Sequence, residues 1–442
     1  MTGTPRRRFL ALAGTASLAG CTDLRGLLRD TPEPVPLEGA ALRAVADREA
    51  PSIPETVPVD VADDHLASST ATAREHLDPV PSPLDASAVP NGAIRQELVE
   101  GREEATEALA ASAGAASPLE AMDELRHARQ HARFVAAGWA SVEAGLTYED
   151  VLDDRSPVGD AVDRFRSRWR YVGADPVRAS LVHLCIQERV RYVLHHVDDR
   201  EPRIGPGHSS PLEVGRLAGG LEAARASLAD ATHVHDRFTA SLDEERSLRE
   251  RFRSAATTLA ARVRTRLDTV PEGDHHEPSS YVDRDVGDAV AVTGLGDLAR
   301  SLHFADGGAD TLARGEFPWA IHGAHQTLVW RRAFRSLRRR IEDGEHATVE
   351  AADDVGAIRA AAVTAIDEVA TAGGNPRLNH SVLARVARIV AEADRMIVDQ
   401  ADEDTIPLAY VEEPVGRYVM ARELARATPP ASRTVAAALR GN

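Results

Sequence analysis

Histidine is the metal-ligating residue this chain uses generously, with 17 copies against two cysteines. Two of its spacings place imidazoles on a common helix face. Glu124-x-x-His127-x-x-x-His131 puts a carboxylate and two imidazoles on one stripe, because positions three and four apart lie above one another on an α-helix. E-x-x-H is the unit that helical di-iron bundles use in duplicate. His322-x-x-His325 offers a second pair, beside Val329 and Trp330. If the two helices face each other, Glu124, His127, His131, His322 and His325 together could hold a transition metal or the iron of a haem. The competing reading makes each imidazole a hydrogen-bonded residue at the edge of an apolar seam. Asp230-x-x-His233, His195-His196 and His275-His276-Glu277 carry weaker versions of the same chemistry, the last two close to loops.

Much other chemistry is excluded by composition. All 52 residues counted as lysine or arginine are arginine. A chain without lysine has no P-loop, no kinase strand lysine, no pyridoxal Schiff base and no lysine nucleophile. Neither H-E-x-x-H nor G-x-S-x-G occurs. The 69 acidic residues set a net charge of −17, which argues against nucleic acid as a partner, since phosphate binding needs a basic surface. Cys185 sits in the apolar stretch Leu181-Val-His-Leu-Cys185-Ile and reads as a buried small hydrophobe.

Arginine stripes are the other visible pattern. Arg331, Arg335, Arg338 and Arg339 lie opposite an apolar seam, and Arg164, Arg166, Arg168 and Arg170 interleave with Phe165, Trp169 and Tyr171. Acidic lipid or an anionic ligand would suit such faces. Pairing with neighbouring acidic helices is the structural alternative, and the one expected here.

The elements that must position these groups are helices. Leu125, Ala128, Ala132, Val135, Trp139 and Val142 alternate by three and four, as do Val382, Val386, Ile389, Ala393 and Met396, and Trp330, Phe334, Leu337 and Ile341. No comparable run alternates by two. Ser117-Pro118-Leu119-Glu120 and Ser210-Pro211-Leu212-Glu213 each read as a capping box with proline at the first helical position. The fold class is therefore all-α, and long helices with short loops favour antiparallel bundles. The length favours two packed bundles over one. Residues 61–270 form the first helical region and 284–442 the second, divided by the loop 271–283. A proline-punctuated tether over 21–60 precedes them.

Residues 1–20 read as an export signal. Arg6-Arg7-Arg8-Phe9-Leu10 leads into an apolar run ending at Ala19, too short to span a bilayer permanently. Arg6, Arg7, Phe9 and Leu10 resemble the twin-arginine signal R-R-x-F-L, with Pro5 where serine or threonine usually stands. Leu18-Ala19-Gly20-Cys21 resembles a lipobox. The resemblance implies that Cys21 becomes a lipidated N-terminus, tethered to the external face of the cytoplasmic membrane. An acidic, lysine-free, Ala- and Asp-rich exported chain is similar in style to haloarchaeal proteins. Gly323-Ala-His325-Gln-Thr-Leu328 resembles part of the G-x-H-x-x-E motif of imelysin-like proteins, which are exported two-bundle helical proteins linked to iron uptake. Leu328 stands where that motif has its glutamate, so the chain lacks that ligand.

The expected function is a membrane-tethered binding or scaffold module acting with other envelope proteins. The alternative is a metal- or haem-binding protein, serving metal uptake or oxidoreduction, that uses the five residues named first.

Overall fold

The computed structural model describes residues 36–198, 210–286, 289–305, 308–401 and 403–441. Arg6, Arg7, Phe9, Leu10 and Cys21 lie outside the described residues, as do most of the tether's first half and most of the 198–209 loop. The described chain is helical almost throughout. Its helices are α1 (Gly39–Ala46), α2 (Asp63–Leu77), α3 (Gly92–Ala113), α4 (Pro118–Glu143), α5 (Tyr148–Leu152), α6 (Arg155–Arg168), α7 (Pro176–Val197) and α8 (Pro211–Ala240). They continue with α9 (Arg249–Leu267), α10 (Val290–His303), α11 (Ala309–Ala313), α12 (Phe317–Glu342), α13 (Ala352–Thr371), α14 (Pro376–Gln400) and α15 (Leu408–Arg440). Two short strands, β1 (Leu37–Glu38) and β2 (Thr405–Ile406), pair antiparallel. Among the described residues no helix is long and apolar enough to cross a membrane.

Side-chain caps start many of these helices. Asn91 accepts from the Ala93 and Ile94 amides, and Asp175 from those of Val177 and Arg178. Ser210 and Glu213 complete a reciprocal capping box. At Ser117 only half of the box forms. Its hydroxyl accepts from the Glu120 amide, but the Glu120 carboxylate reaches the Ala116 and Glu55 amides instead, each at 3.1 Å.

The apolar seams point inward as their spacing predicts. Leu125, Ala128, Ala132, Val135 and Trp139 of α4 are buried, as are Phe334, Leu337 and Ile341 of α12. Helix α4 packs on α2, α3 and α8; α8 packs on α7; and α7 meets α12, which packs on α9, α10 and α15. One core cluster accordingly runs from Leu37 to Leu439. Helix α10 crosses α15 closely, and a Cβ at Gly294 would come within 2.6 Å of the Gly416 carbonyl oxygen. Only residues without side chains allow that approach.

Residues 36–60 depart from the extended spacer that their prolines suggest. Leu37, Leu42 and Val45 are buried, and β1 is held on β2. A proline-rich backbone lacks some N–H groups but keeps every carbonyl, and distant groups take these acceptors. Arg359 donates to the carbonyls of Arg48 and Glu49, Arg178 to that of Pro58, and the Ser117 hydroxyl to that of Glu55. Arg388 adds an ion pair to Glu55 at 2.8 Å. The segment is a strap across the body.

Buried charge also joins α2, α4 and α8. Glu222 accepts from Arg129 at 2.5 and 2.9 Å and lies 3.5 Å from His76. Burial alone would raise the carboxyl's pKa. The nearby His76 ring and the Arg129 guanidinium outweigh it and hold the group at about 2, from an ordinary 4.5. A depressed carboxylate pKa contributes stability that is present above the unfolded value and is lost as pH falls through the folded one. The Glu222 contribution is therefore complete above pH 4.5 and disappears toward pH 2, a swing of about 3 kcal/mol. In denaturant titrations the stability gap between wild type and Glu222→Gln should narrow across that window. A gap that stays constant would show that Glu222 is not held ionised in the fold.

Cys185 is buried, as its apolar setting predicts, and burial pushes its thiol up to about 12. Several stripe arginines are paired structurally: Arg166 with Asp163, Arg338 with Glu342 and Arg339 with Asp343.

Candidate metal centre

The helical histidine stripes do not come together. His131 Nδ1 pairs with Glu104 of α3 at 2.8 Å, and His127 Nε2 lies 3.1 Å from the Arg126 guanidinium; desolvation first, then Arg126 and His131, lowers His127 to about 4. Glu124 is half-buried on the same helix. His325 is buried with Nε2 3.1 Å from the Ser432 hydroxyl of α15, and His322 Nε2 lies 3.4 Å from the Ser180 hydroxyl of α7. Burial first, then Arg385, lowers His325 to about 4; burial, His325 and Arg385 lower His322 to about 3. Both border a cavity of about 70 Å³, room for a few waters and not for a porphyrin. Leu328, at the position of the imelysin motif's glutamate, is buried. Helix α4 packs on α2, α3 and α8, whereas α12 packs on α7, α9, α10 and α15, so each stripe finds its own hydrogen-bond partners.

Three metal-ligating side chains converge elsewhere, in the loop between α9 and α10. Asp274, His275 and His276 bring one ligand atom each to within 4.8 Å of one another, and among the described residues no other group of three does so. The loop is built to present them. A short 3₁₀ turn, Pro278–Tyr281, anchors its far side. Tyr281 is buried edge-on to Phe334 of α12, its hydroxyl donates to the Gly273 carbonyl at 3.1 Å, and its own carbonyl accepts from Arg338 at 2.6 Å. Pro278 sits on Gly296 of α10, where a Cβ would come within 2.5 Å of the ring.

Within this frame Asp274 makes the turn. Its amide donates to the Ser280 hydroxyl at 2.9 Å, its carbonyl accepts from the Glu277 amide at 2.9 Å, and its Oδ1 accepts from the His276 amide at 2.8 Å. One carboxylate oxygen thus fixes the turn while the other is left for an ion. His275 stacks on His303, at the end of α10, with ring centroids 4.8 Å apart, and lies tilted against His276 at 4.2 Å. Phe304, highly exposed at 72%, stands edge-on to His303. Desolvation, then the His276 and His303 rings, lowers the pKa of His275, favouring the neutral imidazole that ligates metals.

Two imidazoles and a carboxylate suit zinc, iron, nickel or copper better than calcium or magnesium, which prefer all-oxygen shells. Metal–ligand bonds of about 2.0–2.2 Å place tetrahedral ligand atoms roughly 3.3 Å apart. The 4.8 Å within which the three ligand atoms lie is wider than that, so binding would draw them together. Asp274, His275 and His276 can therefore coordinate a metal ion, with further positions open to water, a substrate or His303. The sequence shows the His275-His276 pair, but helical spacing gives it no weight, because a turn and not a helix face brings these side chains together.

Two family models match the chain: a domain of unknown function (DUF8262) over residues 64–245 and a domain of unknown function (DUF8264) over residues 249–437. No curated protein and no solved structure matches it.

Proposed function

We propose that this chain is a metal-binding helical protein that carries a divalent transition ion at Asp274, His275 and His276, as a component of metal uptake or handling. The convergence of these three side chains on a pinned turn carries the reading. It favours metal binding over a scaffold role, because this is the ligand set that the described surface assembles. Protein produced without a histidine tag, dialysed against zinc, iron or nickel and then against metal-free buffer, should retain about one ion per chain. Metal-free protein in all three cases would contradict the reading.

The location rests on the N-terminal residues. Arg6, Arg7, Phe9 and Leu10 support export, and Cys21 supports a lipid anchor on the outer face of the membrane, where other envelope proteins would be the neighbours. Cys21→Ser protein should leave the membrane fraction; retention there would overturn the anchor. The finer architecture reads as two bundles, α2–α8 and α9–α15. The family models meet between residues 245 and 249, and α9 packs on α12 and α15, which favours a division there.

A further inference from the structure

We propose that a second site binds a small organic anion whose charge sits beside a flat or apolar body. The site is a cleft of about 930 Å³ between α6, α7 and the chain entering α12, at the upper end of the range typical of small-molecule pockets. It is separate from the metal turn and independent of the metal reading.

Charge is the first observation. Arg166, Arg170, Arg191, Arg249 and Arg314 line the cleft against only Asp163 and Glu316, in a chain whose acidic residues outnumber its basic ones 69 to 52. Arg166 is paired with Asp163, and Arg191 and Arg314 share Glu316 at 2.9 and 3.3 Å. The other two are left over. Arg170 donates only to the carbonyls of Ser167 and Trp169, and Arg249 lies over the Phe317 ring. Among the described residues neither has a carboxylate within 4.0 Å. Guanidinium forks of this kind recognise carboxylates and phosphates in two-point contacts.

Gln187 is the second, independent observation. It lines the cleft at 2% exposure, and its Oε1 accepts from the Trp319 amide at 3.3 Å. That bond fixes which way the amide points and leaves Nε2 as a donor with no partner. A buried donor left unpaired is costly. A ligand oxygen in the cleft would satisfy it, which makes it a binding group in waiting.

Trp169 and Tyr171 supply the apolar wall. The Trp169 indole donates to His183 Nδ1 at 3.1 Å and the Tyr171 hydroxyl to the Gly315 carbonyl at 3.1 Å, so both polar tips are engaged and the rings offer the cleft apolar surface. Arg170 and Trp169, read in the sequence as part of a structurally paired stripe, are here part of a cavity lining.

Calorimetric titration of the full chain with naphthyl phosphate, naphthoate and uncharged naphthol tests the assignment. Both anions should bind at least about tenfold tighter than naphthol, and the order of the two distinguishes phosphate from carboxylate as the preferred charge. The doubly reversed variant Arg170→Glu/Arg249→Glu should lose that preference. Gln187→Leu should weaken the anions about tenfold and lower the thermal midpoint only slightly, because it removes the unpaired donor together with the Oε1 acceptor of the Trp319 amide. Arg216→Glu on α8, outside the cleft, should bind as wild type does. Naphthol binding as tightly as the anions, no binding by any probe, or undiminished anion binding by the variants would overturn the proposal. If the double variant fails to fold, as judged by circular dichroism, Gln187→Leu decides the question alone.

Discussion

Arg359→Met should lose about 3–5 kcal/mol of folding stability, a large fraction of the total for a domain of ordinary stability. Arg359 and Asp394 are both buried and form a two-point pair, with both N···O distances 2.8 Å. Tyr418 donates to the same carboxylate at 2.5 Å, and desolvation followed by the Asp394 charge holds its phenol well above its ordinary pKa. Removing the guanidinium leaves Asp394 charged, out of water and served by one hydroxyl. It also strips the donor from the carbonyls of Arg48 and Glu49, so the strap over residues 36–60 loosens. The cost is that of a stranded charge, so Arg359→Met/Asp394→Leu should recover most of it, since apolar replacements of similar size often equal a buried pair. Equilibrium denaturation of the two variants and wild type is the measurement. A loss below about 1 kcal/mol in the single variant would mean that water or another cation already serves Asp394.

The helices were largely legible because their determinants are local. The α4 and α12 seams and the Ser210–Glu213 box follow from residues within one or two turns of each other. What local spacing could not show was which partner a group would choose. Glu120 stands at the capping position but spends its carboxylate on Ala116 and Glu55, and the second of these is 65 residues away. The strap looked like a spacer because proline content reports backbone stiffness, whereas its carbonyls are claimed by Arg178 and Arg359, far along the chain. The histidines failed in a similar way. A shared helix face brings Glu124, His127 and His131 into line, yet it says nothing about the neighbouring helix, which offers Glu104 to His131 in place of a second pair of imidazoles. The ligand set that does converge lies in a turn, where Asp274 accepts from the His276 amide two residues on and His303 arrives from another element.

Removing any one of the three turn ligands should weaken metal binding by at least about a hundredfold. Even partners that only orient a ligand change metal affinity about 10–100-fold, and a direct ligand contributes more. Asp274→Ala has a further consequence, because Oδ1 also holds the His276 amide, so the variant loses both a ligand and the turn that aims another. His275→Ala and His276→Ala remove ligands without touching that bond. None of the three should reduce folding stability by more than about 1 kcal/mol, since Asp274 and His276 are exposed and His275 is only half-buried.

Cobalt(II) titration followed by visible absorption, on untagged wild type, His275→Ala, His276→Ala and the control His127→Ala/His131→Ala, tests the metal assignment most directly. Wild type and the control should develop the same nitrogen–oxygen ligand-field spectrum with saturation at about one equivalent, and the two turn variants should not. The same spectrum and affinity in His275→Ala and His276→Ala, or its loss in the control, would contradict the site.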